Sequence, residues 1–298
     1  AFAGTPFKLC ATATPAPNDF TELGTHAEFL GVCTRSEMLA EFFCHDGGET
    51  QKWRLKGHAR VAFWRWVASW AAMVRRPSDL GYADGGYSLP PVRYVEHTVA
   101  AQLDTYRRAG FLFAQEAQSL MDRRNARRSS VDDRVAECAA AVNAEPGEPW
   151  IVWCDLNSES EALTKAIDGA VELRGSHTAE EKEDRLSRFA KGEIRVLVTK
   201  PSIAGFGLNW QHSARMAFVG VTDSWEAYYQ AIRRCWRFGQ RREVVVHVFA
   251  SEAEGSVIAN LKRKETDAAK PGEELARETG DAVRAEIIGA RRTTNAYT

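Results

Sequence analysis

Trp150-Ile-Val-Trp-Cys-Asp155 is a short, unbroken apolar run closing on a carboxylate, the composition of a strand buried on both faces. The segments on either side alternate in kind. Downstream, 158–167 reads as a helix, 170–173 as a strand, and 178–190 as a charged amphipathic helix opened by a Thr178/Glu181 capping box. Three further strands are predicted at 194–199, 216–221 and 244–249. Upstream, 92–98 reads as a strand, and helical patterns occupy 100–127 and 131–143. Strands and helices of these lengths in alternation predict an α/β fold, a parallel sheet covered by helices on both faces. No repeat of 20–50 residues is visible, so a solenoid is not expected.

The 298 residues, 44% hydrophobic and 27% charged, suffice for one large domain or two of ordinary size with a substantial core. No apolar run approaches the ~20 residues of a membrane span, and no signal-peptide pattern opens the sequence. Its first residue is Ala1 rather than Met, so a processed, truncated or excised piece is expected. A net charge of −1 excludes a surface that binds polyanions everywhere; such a site must come from local basic clusters, at 123–128, 233–242 or 262–264. A solvated helix face is the commoner reading of such clusters, at 123–128 and 262–264 above all. Six cysteines occur without a Cys-x-x-Cys pair, and seven histidines add no metal-ligand spacing, Cys44-His45 being the nearest approach. The expectation is no metal site, free thiols and a reducing cytoplasm.

Towards the N-terminus, 7–12 reads as a strand followed by turn residues Pro15, Pro17, Asn18 and Asp19. A strand so near the start suggests the end of a domain cut away upstream. Ala59, Phe63, Trp66, Val67, Trp70 and Val74 form an apolar stripe at helical spacing, with Trp64 off the stripe. The stripe reads as core rather than as a stacking platform for bases. Pro77, Gly81, Gly85, Gly86, Pro90 and Pro91 mark 76–91 as a linker or loop.

Gln230-Ala-Ile-Arg-Arg-Cys-Trp-Arg-Phe-Gly-Gln240 carries the most chemistry. On a helix Gln230, Arg234 and Arg237 share one face, and Gly239 is placed to end that helix. One amide and two guanidiniums aimed together suit a polyphosphate, because the arginine fork matches phosphate oxygens. The same spacing also fits a solvated basic face.

Six segments then stand in order: Ala11-Thr-Ala-Thr-Pro15, Leu89-Pro-Pro91, Trp150-Ile-Val-Trp153, Leu173-Arg-Gly-Ser176, the stretch from Val198 to Asn209, and the arginine stretch. Together they resemble motifs III through VI of the Swi/Snf-like branch of superfamily 2 helicases, DNA-dependent ATPases with two RecA-like domains. Phage and prophage relatives are the most similar in texture, and the resemblance covers about 1–25 and 88–265. It implies a RecA-like, P-loop-NTPase-like helicase C-terminal lobe over 88–270, with its parallel sheet flanked by helices. It further implies a remnant of the first lobe at 1–30, a helical insertion or linker at 31–87 and a C-terminal tail at 271–298.

The resemblance also implies roles. Arg234 and Arg237 would act on the transferring phosphoryl group, Arg237 as the arginine finger. Gln230, with Gly205, Gly207 and Asn209 of Ala204-Gly-Phe-Gly-Leu-Asn209, would bind ATP. Thr12, Thr14, Arg174, Ser176, Lys200 and Ser202 would contact nucleic acid. Ala13 departs from the family's glycine, and Pro201 from its usual pattern. Asp223-Ser-Trp225 would cap the arginine helix.

No Gly-x-x-x-x-Gly-Lys-Ser/Thr occurs, and no Asp-Glu pair ends an apolar strand. Both would lie upstream of motif III, so the chain alone is expected to be inactive. ATP with Mg would be used only by the complete protein. The implied partners are double-stranded DNA and an upstream RecA-like lobe, with no membrane. A non-catalytic nucleic-acid or partner-binding module is the alternative. A nucleotide- or sugar-transferring enzyme is a second rival, and no Asp, Glu or His constellation favours it.

Overall fold

The computed structural model describes residues 4–16, 19–46, 49–100, 128–205, 207–220, 224–252, 263, 272–277 and 280. The helix expected over 100–127 apart from Ala100, the 123–128 basic cluster apart from Arg128, Asp223 and most of the segment after 252 lie outside the described residues. The chain divides into two compact units, Ala1–Tyr87 with Arg263–Thr298, and Ser88–Lys262.

In the first unit, 7–12 is not a strand: no described segment pairs with it, and Phe7 and Leu9 are 89% and 84% exposed. Alternating apolar residues without a hydrogen-bonding neighbour make no sheet. Two helices follow, α1 (Leu23–Leu30), closed by Gly31 in the left-handed conformation, and α2 (Arg35–Phe42), opened by a Thr34/Glu37 capping box. An antiparallel hairpin, β1 (Phe43–Asp46) and β2 (Glu49–Leu55), then interrupts a region expected to be helical.

Helix α3 (Arg60–Trp70) carries the apolar stripe, but Trp64, placed off it by spacing, is 1% exposed. The helix is covered on more than one side, so a single face does not contain its core residues. Phe63 and Val67 are buried beside Trp64. The Phe20 ring meets the Trp64 ring edge-on at 5.2 Å, and the indole N–H donates to Glu274 at 2.9 Å. Val74, the last residue of the expected stripe, lies beyond the helix and is half-exposed. Glu274 also pairs with Arg60, and Leu275 joins the same core, so a helical stretch at 272–277 completes a unit formed mainly by the first 87 residues.

The second unit is built on a parallel sheet: β3 (Val92–Val99), β4 (Trp150–Cys154), β5 (Ala170–Glu172), β6 (Val196–Thr199), β7 (Arg215–Val219) and β8 (Val244–Ser251). Their order is β3-β8-β7-β4-β6-β5, with every pairing parallel. The connecting helices are α4 (Val131–Asn143), α5 (Asn157–Ala166), α6 (Ala179–Ala190), the short α7 (Pro201–Ala204) and α8 (Trp225–Ile232).

From Trp150 to Cys154 the opening run is buried at every position, as both-face burial requires. Its alternation divides two cores. Trp150, Val152 and Cys154 belong to the cluster of Val135, Cys138, Val142, Leu163 and Ile167 on α4 and α5. Trp153 instead lies 6.2 Å from the rings of Trp210 and Phe218, and Tyr228 of α8 packs on Phe218 at 4.5 Å.

The chain switches direction across the sheet beside β4, so the turns after β4 and β7 flank the crevice where open α/β sheets commonly hold ligands. An ion pair lies beside the end of β4. Arg134 of α4 and Glu159 of α5 meet at 2.8 Å, both fully buried. The second Glu159 oxygen accepts the backbone N–H groups of Asp155 and Leu156, each at 2.9 Å. Gly220, at φ 79°, leaves room for the pair, since a Cβ there would stand 2.7 Å from Glu159 Oε1.

Candidate functional site

Helix α8 starts where Ser224 accepts the Ala227 N–H at 3.2 Å. Its buried face, Trp225, Tyr228, Ala231 and Ile232, fixes it on the sheet. The helix ends at Ile232, seven residues before Gly239, which corrects the expectation of a continuous helix through the arginine stretch. The cause lies in the carbonyls, beginning with Gln230, whose C=O accepts Arg234 Nε while the Arg234 N–H turns to Ala231. Arg234 gives its C=O to the Trp210 N–H at 2.8 Å, and Cys235 shares its C=O between the Arg237 N–H and the Gln240 side chain. Neither carbonyl is left to a residue four positions on, so the chain proceeds in tight turns.

The three expected residues nevertheless converge. Arg234 Nε donates to the Gln230 carbonyl at 2.8 Å, and Nη2 donates to Gln230 Oε1 at 3.1 Å. Arg234 Nη1 and Arg237 Nη1 both donate to the Leu208 carbonyl, at 3.1 and 3.0 Å. Leu208 follows Gly207, whose φ of 74° turns the backbone, and precedes the exposed Asn209. Gly205 serves differently: a Cβ would lie 2.2 Å from the Pro201 oxygen, which accepts the Gly205 N–H at 2.7 Å to close α7. The Leu208 carbonyl therefore joins the backbone after Gly207 to the arginine turn.

The two arginines are not equivalent. Arg234 is 6% exposed and engages three of its nitrogens within the protein. Burial lowers its pKa from the ordinary arginine value, and the charges of Arg237 and Arg233 act in the same direction. Arg237 is half-buried and is held through Nη1. Arg233 turns the other way, its guanidinium 5.2 Å from the Trp236 ring centre.

The other expected residues lie apart from this turn. Lys200 Nζ donates to Asn157 Oδ1 at 2.7 Å, and Ser202 is exposed on α7. Arg174 pairs with Glu172 at 2.6 Å and with Glu161 at 3.2 Å, while Ser176 is exposed two residues on. Burial alone would raise the Glu172 carboxyl, but hydrogen bonds from Arg174 and Ser160 carry it below the usual glutamate value. In the first unit the Thr14 N–H donates to Thr12 Oγ1 at 3.1 Å, a local turn with Thr12 exposed. Among the described residues no group of three or more His, Cys, Asp or Glu is placed to hold a metal ion, and no helix is long and apolar enough to cross a membrane.

Sequence reasoning missed three parts of the site: the Leu208 carbonyl, Gln211 and Gln240. Leu208 acts through its carbonyl, and the two glutamine amides bond backbone groups whose approach depends on the fold, so the residue type alone does not point to them.

Residues 133–239 match the family model for the helicase conserved C-terminal domain. Among solved structures, the chain is similar to the C-terminal part of the Fun30 ATPase domain, with 15% identity and a TM-score of 0.38, over 52% of this chain and 55% of that one. It is also similar to the RNA-helicase Prp28 from Chaetomium thermophilum bound to ADP, with 19% identity and a TM-score of 0.43, over 60% of this chain and 37% of that one. The chain thus spans 55% and 37% of those two lengths. A search of curated proteins found no match. The matched residues 133–239 fall within the unit built on the six-stranded parallel sheet flanked by helices.

Proposed function

We propose that this chain supplies the arginine-bearing lobe of an ATP-driven, double-stranded-DNA helicase or translocase of the Swi/Snf-like superfamily 2 branch, of phage or prophage type. The observation that carries the reading is the meeting of Arg234 and Arg237 at the Leu208 carbonyl, one arginine committed to the protein and the other held at one nitrogen. Phosphoryl transfer passes through a loose transition state with charge on the equatorial oxygens, so a positioned guanidinium is the chemistry required. Arg237 donates to that charge. Arg234 holds Gln230 and Leu208 in place behind it, and Gly205, Gly207 and Asn209 border the nucleotide.

Mg-ATP, when bound, supplies the phosphoryl group transferred to water. The loop and carboxylates that hold it belong to an upstream RecA-like lobe. In this reading 1–30 is the end of that lobe, 31–87 an insertion, 88–270 the second lobe and 271–298 a tail whose 272–277 stretch packs back on the first 87 residues, all working in the cytoplasm. Thr12, Thr14, Arg174, Ser176, Lys200 and Ser202 face the DNA backbone. Arg174 and Lys200 exchange their present partners for phosphate, since Glu172, Glu161 and Asn157 now occupy them.

The test compares residues 1–298 with the natural polypeptide that contains them. DNA-stimulated ATP hydrolysis is expected from the complete polypeptide and none from 1–298. Hydrolysis by 1–298 alone would contradict the division of the site. DNA binding without hydrolysis by the complete polypeptide would leave a non-catalytic binding module.

A further inference from the structure

Gln240 is 7% exposed, and both ends of its amide are engaged. Its Nε2 group faces three carbonyls, those of Gln211 and Ser213 at 3.0 Å and of Cys235 at 3.3 Å. Its Oε1 accepts the Arg241 and Arg242 N–H groups, each at 3.0 Å. Its own N–H donates to the Arg237 carbonyl at 3.0 Å, closing a four-residue turn whose third residue, Gly239, has a φ of 95°. Gln211 clasps the same turn from outside: its Nε2 donates to the Phe238 carbonyl, and a Cβ on Gly239 would lie 2.9 Å from its Oε1.

We infer that Gln240, assisted by Gln211, is a positioning residue that aims Arg237, by fastening the arginine turn to the segment following Asn209. The inference rests on the reading of Arg237 as the arginine finger. The chemistry selects glutamine. Two donors must meet carbonyls while an acceptor on the same planar group meets backbone N–H; a carboxylate lacks the donors and an ammonium lacks the acceptor. Every group that Gln240 holds is backbone, so the device fixes chain geometry and leaves the arginine side chain available.

Two measurements on Gln240→Met test it. In residues 1–298, hydrogen exchange should quicken at the Arg241 and Arg242 amides and across 208–213, while the strands of the sheet stay protected. Unchanged exchange would overturn the inference. In the complete polypeptide, kcat should fall about a hundredfold, the loss expected of a reacting group misplaced by ~1 Å. KM for ATP should be unaltered, and adding Arg237→Ala should cost little more. Normal kcat alongside quickened exchange would overturn the positioning role.

Should Gln240→Met not fold, Gln240→Glu supplies a second readout. A buried carboxylate facing three carbonyls is disfavoured, and only its protonated form can donate. Its kcat relative to that of the native protein should therefore recover as pH falls; a ratio that stays flat would count against the inference. If the native polypeptide hydrolyses no ATP, the finger reading fails, and exchange alone decides whether Gln240 holds the turn.

Discussion

Two arginines three positions apart have opposite tasks. Arg234 is buried with its donors on Gln230 and Leu208, so Arg234→Met should cost about 2–4 kcal/mol by leaving a buried carbonyl and amide unmatched. Arg237→Met should cost under ~1 kcal/mol, as a half-buried side chain held at one point. Urea denaturation of 1–298 checks both, and equal costs would erase the distinction. The pairing of these residues with Gln230 was legible in the sequence because short-range spacing survives even where the helix ends. The asymmetry between them was not, since it depends on a carbonyl 26 and 29 residues away.

His97 and His247 carry a second residue-scale consequence. They lie on adjacent strands with His97 Nε2 and His247 Nδ1 2.9 Å apart. Burial, then the neighbouring His97, pushes His247 down to about 4, and burial also lowers His97 against the opposing pull of Glu137. A histidine whose folded pKa lies below its unfolded value of ~6.5 takes up more protons when unfolded. The fold is therefore unpenalised above ~pH 6.5 and loses stability as pH falls from there towards 4. The urea midpoint of the native chain should drop across that window, and His247→Phe should flatten the drop. An identical pH dependence in the variant would contradict this assignment.

At the scale of elements, the strands of the second unit were legible because buried parallel strands read as continuous apolar runs, whereas the short 201–204 helix and the early end of α8 were not. The 131–143 helix was read with its observed ends, and β4 to within a residue. In the first unit the same rules misled. Residues 7–12 alternate like a strand, yet no described segment pairs with them. The β1–β2 hairpin is rich in polar residues and shows no comparable run. Trp64 escaped the stripe because Glu274, 210 residues away, comes to its indole. Glu274→Ala should leave that buried N–H unmatched and destabilise the first unit by about 1–3 kcal/mol. A two-probe melt checks it: tryptophan signals of α3 should shift downward while the β4 tryptophans hold. Parallel shifts in both would contradict the division into units.

For the whole molecule, two buried contacts link fold to chemistry: Arg134 and Glu159 pair beside the end of β4, while the Leu208 carbonyl receives both arginines of the turn. Neither buried partner could be read from its sequence neighbourhood, because a charged residue on a helix is ordinarily solvated. The most direct test of the account is ATP turnover by the complete polypeptide carrying Arg237→Ala. The account predicts a kcat lower by about 10³-fold or more with DNA affinity unchanged, the signature of a lost arginine finger. Turnover within about tenfold of the native protein, at unchanged DNA affinity, would remove Arg237 from the transition state and contradict the account.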